Sequence, residues 1–462
     1  MTLNTSSVKQ AMRLDVALST LMANELQKWS QIYLNQSPWL GPDVQSLNLG
    51  AAIASEVARA VTIEMDVQVA GGPRADFLQA QLAPTLANIR TTTEYGCAKG
   101  GLMFKPYIKG DAIAVDFVQA DMFYPIAFDV NGKMTACVFA DQKTVGDVFY
   151  TRLESHTLLS SEYQIVNRAF KSTARDTLGT EIPLASVADW AELEPEAIIT
   201  GVDRPLFAYF KMPAANSIDP TSPLGVSIYA RAAQGDTKCL LQEADEQWSN
   251  LLWEMESGQR ALYTTPDAFG KDKNNKPVLP KSRLYRLLDL ASVQIDKPGF
   301  FQDWTPTLRE QNILNALDAI LRRVEFASGL SYGILSNPES IALTATEIIN
   351  SKQRYYANVV DIQKALQTAL DDLLYAMDVW ATLSGAPKGT YSVVYSFDDS
   401  IVADDATQWA QDTTAVTMNV MPKWMFLVRN YDLDEATAKQ WIADVQTETP
   451  PQTFFPGDNL GA

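Results

Sequence analysis

The chain has 462 residues, 47% of them apolar and 20% charged, and carries a formal charge of −18. That composition belongs to a folded protein with room for two to four structural units. It weighs against tight nonspecific nucleic-acid binding, because an acidic surface repels phosphate, and no apolar run approaches the roughly 18 residues a membrane span needs.

Cys97, Cys137 and Cys239 are odd in number and widely spaced. This argues against a disulfide framework or a zinc site and fits a reducing cytoplasm. The first residues lack a charged stretch followed by a continuous apolar core, so no signal peptide is expected.

In chain order, a helical pattern runs from Val8 to about Asn35, with Leu14, Leu18, Leu21 and Leu26 on or near one face. A second helix is expected over Leu47 to Ile63 and a third over Ala75 to Thr93, the latter kinked or split by Pro84. From Met103 to about Lys171 the apolar period falls to two. Ile113 to Phe117, Tyr124 to Val130, Thr135 to Ala140 and Val148 to Leu153 read as strands, with Asn131-Gly132 as a hairpin turn. Ser186 to Gly201 reads as helix or turn, and RPLFAYFKMP after it as a strand.

A helix returns over Asp236 to Ser257, and Pro306 opens another with Leu314, Leu317, Ile320, Leu321 and Val324 on one side. Between them Tyr263 to Pro306 looks irregular and holds a basic cluster, Lys271, Lys273, Lys276, Lys281, Arg283 and Arg286. This cluster reads either as a nucleic-acid contact or as a solvated loop.

The next segment is the most distinctive. Thr344 and Glu347 form a capping box, and Tyr355, Val359, Ile362, Leu366, Leu370, Leu373, Met377 and Trp380 then recur by threes and fours. About 37 residues at 1.5 Å rise make a rod of about 55 Å, far longer than an ordinary helix. Such a rod is expected to brace an assembly or cross a subunit interface. A short strand, TYSVVYSF, follows, then a mostly helical tail from Ala406 to about Thr447, whose last helix is introduced by Asp432-Leu433-Asp434-Glu435. The final TETPPQTFFPGDNLGA is expected to be disordered.

Catalytic signatures are missing from this reading. His156 is the sole histidine, sits in a strand-like LESHTLL and is expected to be a packed or solvent-facing strand residue. There is no G-x-S-x-G, no Walker A and no G-x-G-x-x-G. YGCAKGGLMF, from Tyr95, has the wrong glycine spacing for phosphate and reads as loop and turn. The acid pairs Asp371-Asp372, Asp398-Asp399 and Asp404-Asp405 read as solvated faces and caps. Tyr355-Tyr356 and the tryptophans are expected in core or subunit interface.

Four stretches carry a resemblance. They are FVQADMFYPIAFDVNGKMTACVFAD from Phe117, LEPEAIITGVDRPLFAYFKMPAANSIDPTSPLGVSIYA from Leu193, FASGLSYGILSNPESIALTATEIINSKQRYYANV from Phe326, and FDDSIVADD followed by DLDEATAKQWIADVQTE. In these the chain resembles the portal proteins, or minor capsid proteins, of tailed bacteriophages, in the branch common among phages of Gram-positive hosts. It departs in one place: relatives carry a Pro after Gly-Leu-Ser and a Phe-rich, Gly-containing turn before Thr-Ala-Thr-Glu, where this chain has Tyr332 and SYGILSNPESIAL.

The resemblance implies an α+β portal fold. Residues 1–235 would form a wing of N-terminal helices and a β-rich block, 236–261 and 306–328 two stem helices, and 262–305 a small clip insertion between them. Residues 329–343 would form a tunnel loop, 344–399 a long wing helix with a short strand, and 400–462 a helical crown with a disordered tail. It also implies a non-enzymatic ring of about twelve subunits at one capsid vertex of the virion, assembled in the host cytoplasm, without cofactor, metal or membrane. The ring would pass double-stranded DNA in packaging and ejection. Its partners would be the terminase large subunit, a head–tail adaptor, and the major capsid and scaffold proteins.

On the same grounds Ser331, Tyr332, Ile334, Leu335, Ser336 and Asn337 would face the DNA channel, and the basic cluster would belong to the clip, touching adaptor or DNA. Two other readings are another ring-forming head–tail protein and a carboxylate-based hydrolase. A buried carboxylate of raised pKa in a closed cleft would favour the hydrolase.

Overall fold

The structure is a computed structural model that describes residues 3–160, 162–235, 237–264, 273, 285–287, 301–338, 345–397, 405–418, 420–431 and 433–448. It is a mixed helix and sheet protein, in line with the α+β expectation. The chain divides into two compact units, residues 1–396 and 397–462.

The expected first helix is two, α1 (Thr5–Met12) and α2 (Thr20–Tyr33). Arg13 takes a left-handed φ of 58°, which ends α1, and the Ser19 hydroxyl accepts the Met22 N–H to restart the chain as α2. Helix α3 (Leu49–Thr62) is followed by a strand the helical pattern concealed, β1 (Met65–Ala70).

Next come α4 (Pro73–Ala87) and α5 (Ile89–Lys99). The break lies at Asn88, one turn beyond Pro84, and the Asn88 side-chain amide donates to the Pro84 carbonyl at 3.0 Å. Tyr95 to Lys99, expected as loop, is the end of α5. Gly100 then turns the chain at φ 84°, where a Cβ would lie 2.6 Å from the Gly225 carbonyl oxygen. Only glycine allows these two backbones to approach so closely.

The β-block comprises β2 (Gly101–Lys109), β3 (Ala112–Gln119), β4 (Phe123–Phe128), β5 (Met134–Val145), β6 (Val148–Leu158), β7 (Glu162–Ser172), β8 (Thr180–Ile182), β9 (Glu196–Thr200) and β10 (Ala208–Lys211). One antiparallel sheet runs β10-β2-β3. The other runs β4-β5-β6-β7, with β8 and β9 sharing the far edge of β7. Asn131-Gly132 turns the chain between β4 and β5, with Gly132 at φ 76°, as the dipeptide predicts. Ser186 to Gly201, expected as helix or turn, holds a short 3₁₀ turn at Ala188–Trp190 and then β9, whose alternating Ala197 and Ile199 pack on the core.

Beyond the four-residue α6 (Ala230–Ala233), α7 (Leu240–Ser257) leads into β11 (Ala261–Thr264), β12 (Tyr285–Leu287) and β13 (Phe301–Trp304). These strands form a small sheet with β11 central, parallel to β12 and antiparallel to β13. The segment read as irregular therefore contains order that its short, Gly- and Pro-interrupted runs disguised.

Helix α8 (Glu310–Ser328) packs along α7. The two are pinned beside the small sheet by Arg309, whose backbone N–H, Nε and Nη2 donate to the Glu254 carboxylate at 3.0, 3.2 and 2.8 Å. Those hydrogen bonds hold the Glu254 carboxyl below its usual range.

The rod is α9 (Ala345–Leu383), 39 residues or about 58 Å. Thr344 of the expected capping box lies outside the described residues. Val359, Ile362, Leu366, Leu370, Leu373 and Met377 are buried, and the rod packs on β10, β2, α3 and α4 of its own subunit. Its length thus serves the subunit core first.

Near the rod's end the buried Arg74 guanidinium donates to Asp378 Oδ1 and Thr382 Oγ1, both at 2.7 Å. Asp371 is exposed, as read, and Asp372 half-buried, and each has a partner. Tyr395 donates to Asp371 at 2.6 Å, and Lys133 pairs with Asp372 at 2.7 Å. Strand β14 (Ser392–Phe397) then pairs with β1.

The second unit holds α10 (Asp405–Thr417), α11 (Lys423–Tyr431) and α12 (Glu435–Glu448). Trp409 meets Phe426 and Tyr431 edge-on, and Asp412 accepts from Arg429 and Asn430. Asp434 caps α12 through the Thr437 N–H at 3.0 Å, as its sequence predicts. Residues 398–404 with most of both later acid pairs, and the final 14 residues, lie outside the described set.

Candidate functional site: the loop between the two long helices

The last turn of α8 reads Arg-Val-Glu-Phe-Ala-Ser-Gly-Leu. Gly329, left-handed at φ 72°, ends the helix in a Schellman turn, with Leu330 N–H on the Glu325 carbonyl at 2.9 Å and Gly329 N–H on that of Phe326 at 3.3 Å. Leu330 is fully buried. The chain leaves α8 in a fixed direction, and residues 331–338 form the described part of the loop toward the rod.

Glu325 is unusual in two respects. It lies in the last turn of a helix, where the macrodipole disfavours an anion, and it is 0% exposed. Its charge is met by the loop that follows. Oε1 accepts the backbone N–H groups of Gly333, Leu335 and Ser336 at 3.1, 2.6 and 2.9 Å, and Oε2 accepts the Ser336 hydroxyl at 2.9 Å. Charge-assisted bonds of this kind are about twice as strong as neutral ones. Gly333 sits at φ 90°, a backbone state that lets successive amides converge on one anion. Asp318, two turns earlier on α8, accepts the Asn337 N–H at 2.7 Å.

The rod grips the same loop from the other side. The buried Ser351 hydroxyl accepts the Tyr332 N–H at 2.9 Å. Arg354 stacks its guanidinium on Phe326 and Tyr332, 4.5 and 5.6 Å from the ring centroids, while Nη2 donates to the Leu330 carbonyl at 3.2 Å. A segment without regular structure is thus strapped to both long helices.

The side chains expected at a channel are distributed unevenly. Ser331, Tyr332, Ile334 and Leu335 are half-buried, with Ile334 and Leu335 against the main core, and Asn337 is exposed. Ser336 is buried and turned inward to Glu325. Residues 339–343 lie outside the described set. So do Lys271, Lys276, Lys281 and Arg283 of the basic cluster; Lys273 is an exposed turn residue and Arg286 lies on β12 opposite Tyr263. Sequence reasoning missed Glu325, Asp318, Ser351 and Arg354. An acid in the final turn before a Gly C-cap was the available signal.

The other concentration of buried charge lies in the β-block. Glu154 on β6 pairs with Lys105 at 2.6 Å, Arg152 at 3.2 Å and His156 Nε2 at 3.0 Å, and His156 Nδ1 meets the Tyr163 hydroxyl at 2.8 Å. His156 is a packed strand residue, ringed edge-on by Phe139, Tyr163 and Phe207. Burial holds the imidazole below its usual range although Glu154 opposes this. Burial would raise Glu154, but Lys105, His156 and Arg152 outweigh it and hold the carboxyl well down.

A carboxylate with a raised pKa, Asp245, is buried on α7. It accepts the Trp39 indole N–H at 2.9 Å and the Leu47 N–H at 2.8 Å, the bonds of a structural tie. Among the described residues no His, Cys, Asp and Glu cluster could hold a metal, and no helix is long and apolar enough to cross a membrane.

The family model "Phage portal protein, SPP1 Gp6-like" matches residues 87–450. The chain belongs to this family of phage portal proteins, a family of structural proteins, which supports a portal or connector role. Among solved structures it is similar to a chain described as "Neck of native GTA particle computed with C12 symmetry". Identity is 10% and the TM-score 0.45, over 92% of this chain and 99% of that one. No curated protein matches by sequence.

Proposed function

We propose that the chain forms a ring of about twelve subunits at one capsid vertex and conducts double-stranded DNA through its axis. A separate terminase would power entry, and a head–tail adaptor would dock after packaging. In this reading α7 and α8 are the stem, the small sheet β11–β13 with Lys271, Lys273, Lys276, Lys281, Arg283 and Arg286 is the clip, and α10–α12 belong to the crown. The described loop, 331–338, lines the narrow passage.

One observation carries the loop assignment. Four backbone N–H groups that could grip phosphate, those of Gly333, Leu335, Ser336 and Asn337, are already taken by Glu325 and Asp318. Convergent free amides are an anion site; amides satisfied from within are not. The loop offers Asn337, Tyr332 and Ser331 to a passing duplex, with no free cation among its own side chains. That suits a surface DNA must slide past, since each phosphate contact adds salt-sensitive affinity.

The test is to shorten the loop within residues 331–338. Ring assembly should persist while packaging or DNA retention falls. Loss of the ring instead would contradict the assignment.

A further inference from the structure

Two carboxylates of α8 hold the described part of the loop, Asp318 and Glu325, and Glu325 has no surface of its own. We infer that Glu325 is a positioning residue: its buried carboxylate fixes the path of residues 333–336 and thereby the place of Tyr332 and Asn337 in the passage. The inference rests on the channel reading of the loop.

Three facts converge. The carboxylate stands where the helix dipole opposes it, so it is a poor choice for helix stability alone. A neutral residue at 325 would leave the Schellman turn intact, because that turn uses the Glu325 carbonyl and not its side chain. And, among the described residues, the four side-chain bonds of Glu325 all run to the loop. The rod's contacts at Tyr332 hold the loop's entrance, and Asp318 holds Asn337. Between them, Glu325 gathers the backbone of 333–336, with Ile334 and Leu335 against the core and the Gly333 N–H also shared with the Ser336 hydroxyl at 3.2 Å.

Glu325→Gln keeps the shape and removes the charge. Hydrogen–deuterium exchange of the purified assembly should then show the amides of Gly333, Leu335 and Ser336 exchanging about tenfold faster or more, as charge-assisted bonds become neutral. Exchange in β5–β7 should not change. Ser336→Ala, which spares the three N–H bonds, should give a smaller effect. In particles carrying Glu325→Gln, the yield of DNA-filled heads should fall at unchanged ring mass and thermal stability.

Unchanged loop exchange would overturn the inference. So would fast exchange with a normal yield of filled heads. In that case the shortened loop separates the two ideas: empty heads would leave the channel reading standing, whereas full heads would remove it too. Failure of both Glu325→Gln and Ser336→Ala to assemble would assign Glu325 to folding and also overturn it.

Discussion

Glu325, fully buried, and Glu154, largely buried, are carboxylates stabilised in opposite ways. Glu154 sits inside a sheet and is surrounded by cationic side chains and an imidazole from rigid strands. Glu325 sits at a helix end and is surrounded by the backbone of a loop. The first arrangement ties pieces that are already ordered by strand pairing. The second gives shape to a segment that has no ladder or helix of its own. Buried charge thus marks fold specification in the β-block and loop placement at the junction of the long helices.

Replacing each acid separates these roles. Glu154→Ala takes away the closest anion of Lys105 and Arg152 and the Nε2 partner of His156, leaving only the longer pairs Lys105–Asp116 at 3.6 Å and Arg152–Asp141 at 3.8 Å, and should cost about 3 kcal/mol of subunit stability, read as a lower denaturant midpoint. Glu325→Ala strands the Leu335 and Ser336 N–H groups and leaves the Gly333 N–H only the Ser336 hydroxyl, at 3.2 Å, a loss that water can partly recover. It should cost about 1–3 kcal/mol, concentrated in loop exchange rather than in the global midpoint. Equal global losses for the two would erase the distinction.

A pH series sharpens it. The folded pKa of His156 lies below its unfolded value near 6.5, so below about pH 6.5 the unfolded chain binds more protons and stability falls with acidity. The slope is bounded by one proton, about 1.4 kcal/mol per pH unit. Glu154, also lowered, adds a second loss as pH falls below about 4.5. His156→Gln should flatten the first window and leave loop exchange at 333–336 unaltered. The smallest effect belongs to the solvated pair Lys439–Glu435 on α12, where Lys439→Ala should change stability by no more than about 0.5 kcal/mol.

The sequence made some of this legible. The rod announced itself because burial on one side enforces Val359, Ile362, Leu366 and Leu370 at helical spacing, and the β4–β5 hairpin because Asn-Gly fits its turn. The first helix was overextended since the apolar residues continue past Arg13, where only backbone conformation ends α1. β1 was hidden by its six-residue length and by a partner, β14, more than 300 residues away. Ser336 was read as a channel-facing polar residue, because nothing local reveals a carboxylate eleven residues earlier that would turn it inward. Loops are shaped by such tertiary hydrogen bonds, and periodicity carries no trace of them.

The most direct test of the account is a cryo-electron microscopy reconstruction of the purified protein. It should show a closed ring, about 0.6 MDa for twelve 51.0 kDa chains. The axial opening should be wide enough for a duplex of about 20 Å, with residues 331–338 at its narrowest point. A ring with that loop on its outer wall, or a small species that does not close at high concentration with scaffold present, would contradict it.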